Sequence, residues 1–108
     1  MVYQRSKNIV INMKPSEALN MHRESIRKII TSNRTLNPRV FGSVANGTDT
    51  DISDLDILVD STSKTTLMDI GMIRHQLLKL LKVPVDVLTP KALPEEMRSQ
   101  IISEAIPL

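Results

Sequence analysis

The segment spanning residues 39–60 constrains the fold of this chain more than any other, because it carries two aspartates inside an apolar, strand-like pattern. Within it, residues 54–59 read Asp-Leu-Asp-Ile-Leu-Val, so that Asp54 and Asp56 alternate with large apolar residues. This alternation has the period of a β-strand, whose successive side chains point to opposite faces. The segment therefore predicts a strand with both carboxylates on one face and apolar side chains on the other. The core-facing positions are Leu55, Ile57 and Val59.

Two carboxylates on one face of a strand repel each other and are costly to leave unpaired. A divalent cation relieves this repulsion, and hard oxygen ligands of this kind suit Mg2+ or Mn2+. An Asp-x-Asp sequence is common, however, and taken alone it favours a polar strand end that faces water. The neighbouring residues decide between these two interpretations.

A second feature stands upstream, where the short run Val40-Phe41 ends in Gly42 and Ser43. Ten residues separate Ser43 from Asp54. Glycine has no Cβ and tolerates a positive φ, so a ligand can approach the backbone closely there. The serine hydroxyl and nearby amides can then hold a phosphate, above all if a helical turn starts at this point. A phosphate cradle beside a carboxylate pair predicts a nucleotide site.

Gly42-Ser43, followed after ten residues by Asp54-Leu55-Asp56, resembles the signature of the DNA polymerase β-like nucleotidyltransferase superfamily. Within that superfamily the short chain is similar to the minimal nucleotidyltransferases, the antitoxins of HEPN/MNT toxin–antitoxin systems. The resemblance extends from about Ser16 onward and includes residues 83–93 and 104–108. It implies the polymerase β-like nucleotidyltransferase fold.

Hydrophobic periodicity and helix-end signals predict three helices and three strands. The predicted helices are residues 17–33, 66–81 and 95–105, and the predicted strands are residues 40–41, 55–59 and 85–88. Ser16 is expected to cap the first helix, and Asn37-Pro38 to end it. The economical arrangement is an α/β (α+β) fold, a small mixed β-sheet with helices packed on one face. Asp86 lies between two core-facing valines, so it joins Asp54 and Asp56 on the open face.

Composition limits the remaining function classes. The chain length suits a single domain over residues 1–108, with residues 1–13 as an extended or flexible arm. The absence of cysteine excludes a disulfide framework, a thiolate metal site and a cysteine nucleophile. No apolar stretch approaches the roughly 20 residues of a membrane span, and the N-terminal segment makes a poor signal peptide, so a cytoplasmic location is expected. A formal charge of +2 with scattered basic residues does not favour nucleic-acid binding.

The resemblance also implies roles for individual residues. Asp54 and Asp56 would bridge two metal ions and the triphosphate, whereas Asp86 would hold the metal nearer the nucleophile and accept its proton. Gly42 and Ser43 would bind the triphosphate tail. Two metal ions roughly 3.5–4 Å apart clamp the attacking and leaving oxygens in such a site. The expected cofactor is Mg2+ or Mn2+, and the expected substrate is ATP.

The implied reaction is transfer of AMP from ATP to a tyrosine of a cognate HEPN-type toxin ribonuclease. The toxin is then the partner, and a hetero-oligomer is the expected assembly. An alternative is a non-catalytic antitoxin that neutralises its partner by covering it, although the three aspartates favour catalysis. A further alternative is a nucleotidyltransferase that acts on a small molecule or an RNA end. The chain has little room for the helical region with which such enzymes bind an acceptor.

The loop after Ser43 departs from the family pattern. Many relatives carry a basic residue there, whereas residues 44–46 read Val-Ala-Asn. Asp49 and Asp51 add further negative charge, so either the triphosphate affinity is weakened or a partner supplies the missing cation. Basic residues elsewhere in the chain that offer a substitute are Lys64, Arg74 and Lys91.

Overall fold

The computed structural model describes residues 13–108 of the chain. Its helices are α1 (Pro15–Met21), α2 (Arg23–Ser32), α3 (Gly42–Asn46), α4 (Leu67–Leu81) and α5 (Glu95–Glu104). Its strands are β1 (Thr35–Phe41), β2 (Leu55–Ser61), β3 (Val85–Leu88) and β4 (Ile106–Pro107), and a 3-10 turn, Pro90–Ala92, links β3 to α5. The arm predicted for residues 1–13 lies outside the described residues except for Met13.

Four strands form one mixed sheet in the order β3-β2-β1-β4. β2 runs parallel to β3, and β1 runs antiparallel to both β2 and β4. A parallel pair requires a crossover connection, which helix α4 supplies between β2 and β3. The register places Asp56 beside both Asp86 and Phe41, so that three strands meet at one level of the sheet. The predicted mixed sheet with helices is confirmed.

The larger core lies on the face of the sheet that carries the odd-numbered residues of β2. Leu55, Ile57 and Val59 are fully buried there, as the alternation predicts. Helices α1, α2 and α4 cover this face with the buried residues Ala18, Leu19, Ile26, Ile30, Ile73 and Leu77. Burying one such large aliphatic side chain contributes roughly 1.5–3 kcal/mol relative to leaving it exposed. This layer therefore holds the helices firmly to the sheet.

A smaller core lies on the opposite face, where Phe41 and Leu58 pack against Leu93 and the partly buried Ile101 of α5. The structure thus places α5 on the second face, which differs from the one-sided arrangement of helices that the sequence predicts. The physical reason is the apolar surface that Phe41 and Leu58 present on that face, because it needs a cover. The aspartate-bearing end of the same face remains exposed.

The first predicted helix is divided in two. His22 ends α1 and begins α2 with φ −128° and ψ 24°, so residues 17–33 do not form one continuous helix. Its N–H donates to the Leu19 carbonyl at 3.2 Å, a three-residue bond that tightens the last turn of α1. Ser16 is not the cap, because α1 already begins at Pro15, whose missing N–H suits the first helical position.

No helix in the described part of the chain is long and apolar enough to cross a bilayer.

Strand β1 begins earlier than predicted, at Thr35, and includes Pro38. The register shifts in the middle of the strand, and Asn37 adopts a positive φ of 55° there. Proline cannot donate to the sheet ladder, and an irregularity of this kind is where a strand accommodates it. Strand β4, which the sequence did not predict, pairs with β1, and the Leu108 N–H donates to the Pro38 carbonyl at 3.1 Å.

Candidate active site

Three aspartates converge where β2 and β3 begin. Asp54 immediately precedes β2, Asp56 is the second residue of β2, and Asp86 is the second residue of β3. Because β2 and β3 are parallel and paired in register, Asp56 and Asp86 lie side by side on the same face. One carboxylate oxygen from each of the three residues lies within 4.8 Å of the others. The structure thus brings together the three carboxylates that the sequence singles out.

The electrostatics of Asp56 reflect this crowding. Its pKa is raised to about 6, first by burial and then by the neighbouring charges of Asp86 and Asp54. Among residues 13–108, no salt bridge joins any of the three aspartates to a basic side chain. Convergent carboxylate oxygens without a protein cation match the hard ligands that Mg2+ and Mn2+ prefer. The donor set therefore fits a divalent cation.

Gly42 lies directly against this cluster. β1 ends at Phe41, which is paired with Asp56, and the chain then turns through Gly42 with a positive φ of 71°. A Cβ atom at this position would collide with the Asp56 carboxylate. The positive φ and the close carboxylate both require glycine here. The sequence predicts a glycine that leaves room for a ligand, whereas in the structure the Asp56 side chain takes the space that a Cβ would fill.

Ser43 is the second residue of α3, a five-residue helix that ends at Asn46 and is followed by Gly47 with a left-handed φ of 73°. A helical turn therefore starts where the sequence placed the phosphate cradle. Val44 and Ala45 pack against the larger core and hold this short helix on the sheet. Gly42 therefore lies at the rim of the aspartate cluster, and Ser43 follows it in the chain.

Asp49, in the loop after α3, makes a hydrogen bond that joins this loop to α1. Its Oδ2 accepts the Ser16 N–H at 2.9 Å, at the start of α1. Burial acts to raise the pKa of Asp49, but the hydrogen bonds from Ser16 outweigh it and lower the pKa. Asp49 thus satisfies a backbone donor that the first turn of a helix leaves without an intrahelical partner. Of the two extra acidic residues in this loop, Asp51 is the exposed one.

The three basic residues predicted as substitutes for the missing cation differ in their surroundings. Arg74 Nε donates to the Val85 carbonyl at 3.0 Å, which holds the Arg74 guanidinium at β3. Val85 is the residue immediately before Asp86. Lys64 and Lys91 are exposed. Of the three, Arg74 is the one that a hydrogen bond ties to a strand of the site.

A cavity of about 260 Å³ adjoins Gly42 between α3 and α5. Its other lining residues are Phe41, Asn46, Met97, Gln100, Ile101 and Glu104. Sequence reasoning missed this cavity, because it placed the third predicted helix on the face away from the aspartates. The available signal was the apolar stripe of Met97 and Ile101, which needs a surface to pack against.

Comparison with known proteins agrees with this geometry. Residues 20–108 match the sequence pattern of a family described as the nucleotidyltransferase domain. A protein of Methanocaldococcus jannaschii, named as a candidate protein adenylyltransferase, is 28% identical over 88 residues, which are 82% of this chain and 95% of the relative. A solved structure named as a candidate minimal nucleotidyltransferase is 38% identical, with a TM-score of 0.78 over 86% of this chain and 95% of that chain.

Two toxin–antitoxin structures share the fold at lower identity. The first, a crystal structure with AMP-PNP, is 21% identical with a TM-score of 0.66, over 78% of this chain and 69% of that chain. The MntA–HepT complex is 17% identical with a TM-score of 0.60, over 82% of this chain and 69% of that chain. The predicted minimal nucleotidyltransferase fold and the prediction of a transferase enzyme are confirmed, and the chain belongs to the nucleotidyltransferase domain family.

Proposed function

We propose that this protein transfers AMP from ATP to a tyrosine hydroxyl of a cognate HEPN-type toxin. The observation that carries the proposal is the convergence of Asp54, Asp56 and Asp86 within 4.8 Å, on an exposed end of the sheet beside Gly42. A nucleoside triphosphate is a polyanion, so a carboxylate cluster can bind it only through cations. The arrangement therefore supports metal-assisted nucleotidyl transfer.

Asp54, Asp56 and Asp86 would hold the divalent cation, Mg2+ or Mn2+. When bound, such a cation stabilises negative charge on the reacting phosphate and on the leaving group. Asp56 is half-buried on β2, an interior strand of the sheet, which supports a fixed position for its carboxylate. Asp54 and Asp86 are exposed, so ligands from solvent can reach them.

The protein's own residues would bind the nucleotide and accept a proton. Gly42 and Ser43 would hold the triphosphate tail, because Gly42 lies against the Asp56 carboxylate, where the cation that the phosphates need would be bound. In the transfer step the tyrosine oxygen attacks the α-phosphorus, a new P–O bond forms, and pyrophosphate leaves with the electron pair of the broken bond. Asp86 is exposed on the edge strand β3, where an incoming hydroxyl can reach it, which supports a role as the proton acceptor.

A protein acceptor is supported by the comparisons and by the surface of α4. The M. jannaschii relative is named as a candidate protein adenylyltransferase, and two toxin–antitoxin structures share the fold. Leu67 and Met68, adjacent at the start of α4, are 91% and 78% exposed, and Met72 follows one turn later. Clustered apolar groups on a surface favour contact with a protein partner. A hetero-oligomer with the toxin, in the cytoplasm, is the expected assembly.

Intact-mass spectrometry of the toxin, after incubation with this protein, ATP and Mg2+, tests the proposal. We expect the toxin to gain one or more AMP units, and we expect none from the Asp54→Ala/Asp56→Ala double variant. Asp51→Ala is the matched control, because it removes an exposed loop carboxylate that does not belong to the cluster. This control variant should retain transfer.

Two other outcomes would replace the proposal. If the toxin's mass stays unchanged while the double variant still protects cells, the protein is a non-catalytic antitoxin that acts by covering its partner. If AMP is instead added to a small molecule or to an RNA end, the protein is a nucleotidyltransferase with a different acceptor.

A further inference from the structure

Strand β3, which carries Asp86, is an edge of the sheet. It pairs with β2 on one side, and in the described part of the chain no strand pairs with its other side. This edge is short, because prolines stand just before and just after it, at residues 84 and 90. The opposite edge, β4, has only two residues, and its Pro107 has no N–H to offer. β3 is therefore the edge at which a short extended segment of another protein can add a strand.

Two contacts show which backbone groups of β3 point away from the sheet. The Leu55 N–H donates to the Pro84 carbonyl at 2.8 Å, so the even-numbered residues direct their backbone groups toward β2. Arg74 Nε donates to the Val85 carbonyl at 3.0 Å from the other side, so the odd-numbered residues direct theirs outward. Val87 consequently presents both its N–H and its C=O at the free edge, as a further strand requires.

We propose that the acceptor protein binds by adding an antiparallel strand to β3 with its tyrosine opposite Asp86, an inference that rests on the proposed transfer of AMP to a tyrosine. In this pairing, the acceptor residue opposite Val87 exchanges two backbone hydrogen bonds with it. Asp86 then lies at a non-hydrogen-bonded position, where opposite Cα atoms are only about 4.5 Å apart and the side chains are closest. Opposite residues share a face, so the tyrosine projects over the aspartate cluster.

The order of the strands fits this direction of approach. Asp86 lies on β3, Asp56 lies on β2, and Gly42 follows β1. The triphosphate tail, and with it the leaving pyrophosphate, lies on the Gly42 side under the proposed function. In an in-line displacement the nucleophile enters on the side opposite the leaving group. That side is β3, so a segment paired with β3 delivers its hydroxyl from the required direction.

The exposed apolar groups at the start of α4 cannot position the hydroxyl by themselves. Leu67 and Met68 follow the end of β2, whereas the aspartates lie at the start of that strand. α4 then runs back along the sheet for 15 residues, about 22 Å at 1.5 Å per residue, before β3 begins. These groups add contact area for a partner, but a surface beside Asp86 must hold the reacting segment.

Charge favours an acceptor segment over a second copy of this chain at the β3 edge. Two copies paired antiparallel through β3 would be symmetric about Asp86, with the two Asp86 carboxylates facing each other and the two Arg74 guanidinium groups close together. Like charges directly opposite each other are destabilising. A segment with an uncharged tyrosine opposite Asp86 and an acidic residue near Arg74 avoids both repulsions. The expected occupant is therefore an extended, acidic, tyrosine-bearing segment.

Val87→Pro tests the inference, because proline removes the outward N–H of Val87 and leaves the hydrogen bonds between β2 and β3 in place. Val87→Ala is the matched control, since it also shortens this buried side chain but keeps the N–H. Both variants are compared in the rate of AMP transfer to the toxin and in calorimetry with ATP and Mg2+. We expect Val87→Pro to raise the KM for the toxin about tenfold or more relative to Val87→Ala, with equal ATP affinity.

Amide hydrogen exchange in the wild type tests the same pairing without a variant, and it decides alone if Val87→Pro does not fold. In the free protein, the Val85 and Val87 amides should exchange faster than the Asp86 and Leu88 amides, which point toward β2. In the complex with the toxin, exchange at Val85 and Val87 should slow about tenfold or more.

The two proposals fail in distinguishable ways. Equal KM values for the two folded variants, or unchanged exchange at Val87 in the complex, would overturn docking at β3 and leave the transfer function standing. Slower exchange in the complex with an unchanged toxin mass after incubation with ATP and Mg2+ would support the docking and overturn the transfer. Slower exchange in the free protein at rising concentration would assign the edge to a second copy and contradict the inference. A toxin that is neither bound nor modified would overturn both proposals.

Discussion

Gly42 and Asp56 show at the scale of single residues how this site is built. Asp56 is flanked by β1 and β3, and the missing Cβ of Gly42 provides the space for its carboxylate. Burial disfavours the charged form, and the charges of Asp86 and Asp54 add repulsion, so the pKa of Asp56 rises to about 6. Asp56 therefore lowers the stability of the cation-free protein, and perturbed carboxylates of this kind concentrate at functional sites.

The raised pKa predicts how the stability of the cation-free protein depends on pH. A carboxyl whose pKa rises from 3.8 to about 6 on folding binds its proton more tightly in the folded state. Stability should therefore decrease as the pH rises from about 4 to about 6, and it should stay lower above that range. Melting temperatures of the wild type and of Asp56→Asn, measured in chelator across this range, give the contribution of Asp56 as their difference.

At neutral pH, Asp56→Asn should abolish transfer while its melting temperature stays unchanged or rises, because the amide cannot ionise. Added Mg2+ should raise the melting temperature of the wild type more than that of the variant. A large fall in the melting temperature of Asp56→Asn would instead show that the carboxylate is structural.

Gly42→Ala should damage both stability and nucleotide binding. A residue with a Cβ costs roughly 1–2 kcal/mol in the left-handed region, and the added carbon would displace the Asp56 carboxylate. Gly71→Ala is the matched control, because a Cβ there meets no atom within 4 Å, and the change should be neutral or stabilising by about 0.5–1 kcal/mol in a helix. Thermal melting and calorimetry with ATP and Mg2+ measure both effects. Wild-type behaviour of Gly42→Ala would show that the turn tolerates a side chain.

At the scale of elements, polar side chains decide where α4 begins. The Thr66 N–H donates to Asp69 Oδ2 at 2.9 Å, and the Asp69 N–H donates to Thr66 Oγ1 at 3.2 Å. Arg34, which follows α2, donates from Nη1 to Asp69 Oδ1 at 2.9 Å. The sequence predicts that the helix starts at Thr66 but gives no sign of a contact with Arg34. In the fold, Arg34 joins the end of α2 to the start of α4.

This connection predicts the behaviour of Asp69→Ala. The pKa of Asp69 is lowered first by the Thr66 N–H and also by Arg34, although burial acts in the opposite direction. A carboxyl with a lowered pKa stabilises the fold above its ordinary value near 3.8, and this contribution is lost as the pH falls through the lowered value. Asp69→Ala should therefore melt at a lower temperature than the wild type at neutral pH, with a smaller difference in acid. A difference that is the same at every pH would show that the charge of Asp69 is not the cause.

At the scale of the whole molecule, charge is distributed unevenly. The formal net charge is +2, yet three carboxylates share one exposed end of the sheet. Both cores lie on that one sheet, so we propose that residues 13–108 fold as a single unit. The same distribution means that a polyanionic substrate meets a locally negative surface on a protein that is nearly neutral overall.

We therefore expect the purified protein to bind ATP only with Mg2+ or Mn2+, because carboxylates hold a polyanion only through cations. Calorimetry with and without chelator measures this dependence. The Asp54→Ala/Asp56→Ala double variant should bind ATP weakly even with metal. Equally strong binding in chelator would show that the aspartates do not form the binding site for a metal–nucleotide complex.

The sequence by itself determined the features that depend on local periodicity. The alternation within residues 54–59 placed Asp54 and Asp56 on one face of a strand, because side-chain direction follows from the backbone of the strand itself. The same rule oriented Asp86 correctly within β3, whose predicted bounds match the structure. The position of Gly42-Ser43 at the end of β1 was likewise a local property, since glycine is the residue that accepts a positive φ.

Only the tertiary structure decided which distant residues touch. The parallel register of β2 and β3 sets Asp86 directly beside Asp56, and the packing at the end of β1 makes Gly42 sterically necessary. Strand β4 forms because it pairs with β1, and the early part of β1 forms because it pairs with β2. These backbone hydrogen bonds join residues far apart in sequence, so no local sequence pattern predicts them. The cavity beside Gly42 arose because the apolar second face of the sheet drew α5 onto it. Strand pairing and burial in the folded chain determine which residues that are far apart in sequence come into contact.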